Sequence, residues 1–238
     1  MTSWDIIIDP PASGKENMLK DLRLFEDFEA GKIPPTLRIY SWKAPCVTVG
    51  YSQGEDCVFS ATDKPLPYIK KGTWEVVKRP TGGGIVFHNT AEVTYSLVMD
   101  KNDPILPKGL IPAYSKISEA VVCALSKIGI DAEIRDSKFD SRNSRRHRTS
   151  DIGHRTQNVC FSWPQKYEIV YDNKKIVGSA QKRCKKALLQ QGSIFVRNEL
   201  GGELANQAIS VEEILGRQIG FKELSDALVQ GFKEVLGI

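Results

Sequence analysis

Three observations predict an α+β fold in which a mixed, largely antiparallel β-sheet is flanked by helices. Short β-rich runs recur along the whole 238-residue chain. Three other segments carry apolar residues at helical spacing, and no regular strand–helix–strand alternation orders the two kinds. No repeat, linker or change of composition divides the chain. Residues 1–238 therefore read as one domain, long enough for a substantial core.

Trp4 to Ile8 is the first β-rich run, broken by Pro10-Pro11. Ser13 and Glu16 stand in the S-x-x-E order of a helix capping box. Met18, Leu22, Phe25 and Phe28 then follow at helical spacing, and Gly31 stops the helix. Leu37 to Trp42 and Cys46 to Val49 are β-rich, with Ala44-Pro45 between them. Glu75 to Lys78, Ile85 to Phe87 and Val93 to Met99 continue that pattern. A second helix is predicted from Tyr114 to Ile128, where Tyr114, Ile117, Val121, Leu125 and Ile128 form one stripe closed by Gly129. Asp131 to Arg135 returns as a strand. Tyr167 to Tyr171, Lys175 to Val177 and Leu188 to Val196 form a meander, and Asp172-Asn173 is turn chemistry between its first two strands. From Ser210 the pattern is helical, with Phe221, Leu224, Leu228, Phe232 and Val235 on one face.

Hydrophobic content of 41% and charged content of 26% are those of a globular protein in water. No apolar run approaches the roughly 20 residues that span a bilayer, and the first residues carry no export signal, so a cytoplasmic location without membrane contact is expected. The five cysteines, Cys46, Cys57, Cys123, Cys160 and Cys184, are odd in number and never spaced C-x-x-C. A disulfide framework and a metal site are not expected. A net charge of +4, mostly scattered, argues against nucleic acid as a partner. The exception is Asp136 to Asn158, with five arginines and almost no apolar residues. It reads as a mobile basic surface loop, or as a patch for an acidic partner.

The chemistry centres on Val77 to Leu97. Gly82, Gly83 and Gly84 lie between β-rich runs, where three glycines lose much backbone entropy and pack nothing. A ligand or another backbone lying against the chain would justify them. They fit neither G-x-x-x-x-G-K-[ST] nor a G-x-G-x-x-G that opens a helix. Arg79, just before them, is placed to neutralise an anion or pair with a carboxylate, or else is simply exposed. His88, Glu92, Thr94 and Tyr95 bring polar groups near the same place. His88 is a candidate general base or, with no nucleophile tied to it in sequence, a residue that shapes the pocket. Lys175, followed by the small Gly178-Ser179-Ala180, can polarise a carbonyl or bind a phosphate oxygen, whereas Lys174 reads as solvated. Cys46, Cys57, Cys123 and Cys184 read as small buried hydrophobes. Cys160 lies between the basic segment and the lysine-bearing strands, where a nearby cation would favour its thiolate.

Five blocks in order carry a family resemblance: SGKENMLKDLRLFE, RIYSWKAPCVTVGYSQ, KRPTGGGIVFHNTAEVTYSLV, VCFSWPQKYEIVYDNKKIVGSAQKR and LLQQGSIFV. Over nearly its whole length the chain resembles the lipoate–protein ligase A and octanoyltransferase family, which shares its catalytic fold with biotin–protein ligases. The resemblance implies a biotin/lipoate protein ligase-type domain that attaches a medium-chain acyl group to a lysine of a lipoyl carrier domain. Two chemistries divide such enzymes. In the octanoyltransferases, octanoate passes from acyl carrier protein to an enzyme cysteine and then to the lysine, with no cofactor. In the ligases, ATP and Mg activate lipoate as lipoyl-AMP.

Cys160 matches the transferase nucleophile, and the ligases usually have no cysteine there. Gly84 departs from it, because the transferases commonly carry Gly-Gly-Arg where this chain has Gly82-Gly83-Gly84. The expected site is therefore Cys160 and Lys175 as catalytic residues. Arg79, Gly82, Gly83, Gly84, Val86, His88, Gly178, Ser179 and Ala180 are expected at the substrate. Expected partners are acyl carrier protein and, as acceptor, lipoyl domains of 2-oxoacid dehydrogenases or the glycine-cleavage H protein, with an octanoyl or lipoyl group in transit. The alternatives are the ATP-dependent ligase and a non-catalytic binder of lipoate or of the carrier domain.

Overall fold

A computed structural model describes residues 3–54, 74–135, 167–198 and 208–238. Cys57, Cys160 and the basic segment 136–158 lie outside the described residues. The strands are β1 (Asp5–Ile8), β2 (Thr36–Tyr40), β3 (Cys46–Val49), β4 (Glu75–Lys78), β5 (Val86–His88), β6 (Val93–Asp100), β7 (Glu133–Ile134), β8 (Ile169–Tyr171), β9 (Lys174–Arg183) and β10 (Ala187–Ile194). The helices are α1 (Gly14–Glu29), α2 (Leu110–Lys127), α3 (Val211–Leu215) and α4 (Phe221–Leu236).

Among the described residues, seven strands form one sheet in the order β1-β2-β6-β10-β9-β8-β7, parallel only between β1 and β2. A second sheet of three strands, β4-β3-β5, pairs β3 parallel to β4 and antiparallel to β5. The predicted mixed, largely antiparallel architecture is present, divided between two sheets. No helix among the described residues is long and apolar enough to cross a membrane.

Strand alternation decides what each face of the large sheet does. Leu37, Ile39, Val93, Tyr95, Leu97, Met99, Leu188 and Ile194 point to one face and join the main apolar cluster with Ile117, Val121 and Leu125 of α2 and Leu224, Leu228 and Phe232 of α4. The residues between them face α1 and the small sheet. Helix α1 starts at the predicted capping box, in which the Glu16 N–H donates to Ser13 Oγ and the Ser13 N–H to Glu16 Oε2.

Three boundaries differ from the sequence expectation. Helix α2 begins at Leu110, four residues before Tyr114, because Pro112 lies in the first turn, where its missing N–H costs nothing. Strand β9 runs on through Gly178-Ser179-Ala180 to Arg183, since pairing with β10 overrides the weak strand propensity of those residues. The C-terminal helical pattern is two helices, interrupted by the left-handed Gly216. Asp172 and Asn173 do make the turn between β8 and β9, both at positive φ, as a two-residue hairpin of the primed type requires.

Candidate active site

A cavity lies between the α1 face of the large sheet and the small sheet. Met18 of α1, Tyr40 of β2, Trp42, and Val86 of β5 supply apolar wall. Gly178, Ser179 and Ala180 of β9 and Gln191, Gly192 and Ser193 of β10 supply the sheet side. In register, Gly178 lies opposite Ser193 and Ala180 opposite Gln191, so two small residues leave room above the sheet just where β10 carries polar side chains.

Those polar groups bond to one another. Trp42 Nε1 donates to Thr94 Oγ1 at 2.9 Å, and Thr94 Oγ1 and Ser193 Oγ lie 2.9 Å apart. Ser193 Oγ donates to Glu92 Oε2 at 2.7 Å. On the far side Thr81 Oγ1 donates to Gln191 Oε1 at 2.7 Å, and Gln191 Nε2 donates to Asp21 Oδ2 at 2.6 Å. With these side-chain groups already bonded, the wall suits a hydrocarbon chain better than a polar ligand.

His88 lines the cavity and is itself buried. Its Nδ1 is 2.7 Å from Glu92 Oε2 and its Nε2 is 2.9 Å from Thr48 Oγ1. Its ring stacks on Trp42 with centroids 3.9 Å apart. Both ring nitrogens are occupied, which favours the pocket-shaping role over the general base. Arg79 lines the cavity, as expected of a residue at the substrate. It is buried, not exposed, and its guanidinium donates to the carbonyl oxygens of Gly82, Gly84 and Thr48. A turn whose carbonyls point inward needs donors there, and Arg79 supplies them.

The glycine run is that turn, between β4 and β5, and not a strand. Thr81 and Val86 on either side of it line the cavity, whereas Gly82, Gly83 and Gly84 do not. Another backbone and a positive φ account for Gly83 in the run, whereas a Cβ on Gly82 would meet nothing within 4 Å. A Cβ on Gly50 would lie 2.1 Å from the Gly83 carbonyl oxygen, and Gly83 has φ +93 with the Arg79 guanidinium 2.8 Å from where its Cβ would be. Two chain segments cross at a distance only glycine permits.

Lys175 is the second residue of β9 and fully buried, while Lys174 is exposed as predicted. Lys175 Nζ donates to Glu168 Oε1 at 2.5 Å. Lys175 stands three residues from Gly178 and is not among the residues that line the cavity, and its ammonium meets the Glu168 carboxylate. Cys46 is buried as predicted. Its burial, and then the charges of Glu92 and Glu75, push its thiol far up and away from nucleophilic use. Cys123 is only half-buried and Cys184 is exposed in the β9–β10 hairpin, against the expectation for both.

Behind the cavity lies a charged cluster that sequence reasoning missed. Arg38 is 1% exposed, and it donates to Asp21 Oδ1 and to Asp9 Oδ2, each at 2.7 Å. Asp21 also accepts from Ser96 Oγ and Tyr40 Oη. Burial, and then the Asp21 charge, raise the Tyr40 hydroxyl well above its ordinary range, so it stays a donor. Burial tends to raise Asp9, but hydrogen bonds from Arg38 and Lys20 outweigh it and hold the carboxyl below its ordinary value. The signal for this cluster was weak: Asp21 reads as one more charge on a helix.

Residues 13–233 match the lipoyl protein ligase A/B catalytic domain. The chain is 32% identical over 257 residues to the octanoyltransferase LipM of Kyrpidia tusciae, a match covering 100% of this chain and 88% of that protein. Among solved structures it is similar to lipoate-protein ligase A bound with ATP, at TM-score 0.73 and 23% identity, covering 100% of this chain and 86% of the other. It is also similar to the bi-partite lipoate protein ligase studied with its E2 lipoyl domain from Thermoplasma acidophilum. There the TM-score is 0.72 at 20% identity, covering 100% of this chain and 85% of the other.

Proposed function

The chain belongs to the lipoyl protein ligase A/B catalytic domain family, and from that membership we propose that it is an octanoyltransferase of protein lipoylation. The full-length similarity to a curated octanoyltransferase carries this reading. The cavity supports it, because apolar walls with their polar groups already bonded suit an octanoyl chain, at roughly 0.8 kcal/mol for each methylene buried.

The reaction is a two-step acyl transfer. The Cys160 thiolate attacks the thioester carbonyl of octanoyl-acyl carrier protein. The carbon–sulfur bond to the carrier breaks, and the carrier thiolate leaves and takes up a proton. The lysine of a lipoyl domain, entering as a neutral amine, then attacks the Cys160 thioester. An amide forms, the amine loses its proton, and the Cys160 thiolate is regenerated. Lys175 and nearby backbone N–H groups stabilise the oxyanion in both steps. Val86, Gly178 and Ala180 flank the acyl chain, and the Arg79-bound turn at Gly82–Gly84 holds Thr81 and Val86 against it.

The test offers apo lipoyl domain either octanoyl-acyl carrier protein alone or lipoate with ATP and Mg. Octanoylation in the first mixture is the expected result. Modification only in the second would instead support the ligase chemistry, to which the Gly84 position is closer. No modification in either mixture would leave a binder.

A further inference from the structure

Glu168 is a buried carboxylate with no part in the reaction above, and three features converge on it. Tyr167, directly before it, has φ +72, a left-handed conformation unusual for a bulky side chain and the kind of strain that gathers at functional sites. Glu168 is 6% exposed and Lys175 0%, and their side chains meet at 2.5 Å. The third feature is a register shift. Ile169 pairs with Val177 but Val170 pairs with Lys175, which leaves Ile176 as an extra residue in β9.

That bulge changes where Lys175 points. Val177 packs in the cluster under α2 and α4, and strict alternation would put Lys175 on that same apolar face. Ile176 joins that cluster too. Two adjacent residues on one face return Lys175 to the other face, with Gly178 and Ala180 of the cavity wall. Ile169 is likewise in the apolar cluster, so alternation puts Glu168 and Val170 on the cavity side. The Lys175 backbone is fixed there as well, since the Ile209 N–H donates to its carbonyl at 2.9 Å.

We propose that Glu168 is a positioning residue: it anchors the Lys175 side chain on the cavity side of the sheet, after the Ile176 bulge has turned that lysine away from the core, and so sets where the ammonium stands for its work on the oxyanion. Removing Glu168 takes a carboxylate acceptor from a buried ammonium, which costs the lysine its anchored position. The inference rests on the reading that Lys175 stabilises the oxyanion.

The experiment is a double-mutant cycle on single-turnover octanoyl transfer, using Glu168→Gln, Lys175→Gln and the double variant in the full chain. Glu168→Gln is expected to lower kcat about 10²-fold, the usual loss for a displaced oxyanion donor, with KM for the lipoyl domain unchanged. In the Lys175→Gln background the same change should have almost no further effect. Equal losses in both backgrounds, or an unchanged kcat in Glu168→Gln, would overturn the proposal. An unchanged kcat in Lys175→Gln alone would instead overturn the oxyanion reading, and the positioning role with it. Should Glu168→Gln fail to fold, Glu168→Asp keeps the charge but shortens the reach, and the same cycle is run with it. A kcat lowered about tenfold at unchanged KM is expected, and a kcat equal to that of the parent overturns the proposal.

Discussion

The two faces of the seven-stranded sheet are made by alternate residues of the same strands, yet they are held by different means. Under α2 and α4, Leu37, Ile39, Tyr95, Leu97 and Phe232 pack in one apolar cluster. On the opposite face the intervening positions carry Arg38, Tyr40, Thr94, Ser96, Gln191 and Ser193, joined by hydrogen bonds to one another and to Asp21, Glu92 and Trp42. Packing tolerates local relaxation, because dispersion is shared over many contacts. A buried polar network does not, since each member removed leaves a partner unsatisfied. Both faces therefore contribute stability, but only the second also fixes the shape of the cavity.

Removing Asp21 should have the largest effect. Asp21→Ala leaves Arg38 with one of its two carboxylates and strands Tyr40, Ser96 and Gln191, so a loss of about 3–5 kcal/mol is expected in equilibrium denaturation. Transfer activity should fall with it, even at temperatures where the variant is folded, because Gln191 and Tyr40 line the cavity. Phe232→Ala on the helix side should cost a similar or slightly smaller amount, about 3–4 kcal/mol, but leave kcat of the folded fraction near that of the parent. Equal activity losses in the two variants would break the division between the faces.

Gly192 joins the faces, and its substitution should rank next. It lines the cavity, and a Cβ there would lie 2.2 Å from the Tyr95 ring on the other side of the sheet. Gly192→Ala is expected to cost about 1–3 kcal/mol and to raise KM for the octanoyl donor, as read by thermal melting and initial rates. Asp9→Asn, at the rim of the charged cluster, should cost less than about 1 kcal/mol. The Asp9 carboxyl is held below the ordinary 3.8. Its stabilisation is therefore complete above that value and lost as pH falls through the folded-state value. Parent and variant should differ in melting temperature at neutral pH and converge in acid.

The same contrast explains what could be read from the chain. The Ser13–Glu16 cap, the Asp172-Asn173 turn and the stripe through Ile117, Val121 and Leu125 depend on neighbours within a few residues, and all three are present. The site depends on partners far apart in sequence. Thr81 meets Gln191 110 residues away, and Asp21 meets it across 170. Nothing local distinguishes Asp21 from a solvated charge, or Arg38 between Leu37 and Ile39 from an outward-facing strand residue. The glycine run was legible as a close approach, but only the structure identifies Gly50 as what approaches. The bulge at Ile176 was illegible for a related reason. Register is a property of two strands together, and a one-residue shift moves Lys175 from one face to the other.

The central claim is acyl transfer through an enzyme thioester, and one measurement tests it most directly. The protein is mixed with octanoyl-acyl carrier protein, without acceptor and without ATP, then digested and weighed by mass spectrometry. An octanoyl increment on the peptide containing Cys160, discharged when apo lipoyl domain is added, is the predicted result. An unmodified Cys160, with full octanoyl transfer retained by Cys160→Ala, would contradict it.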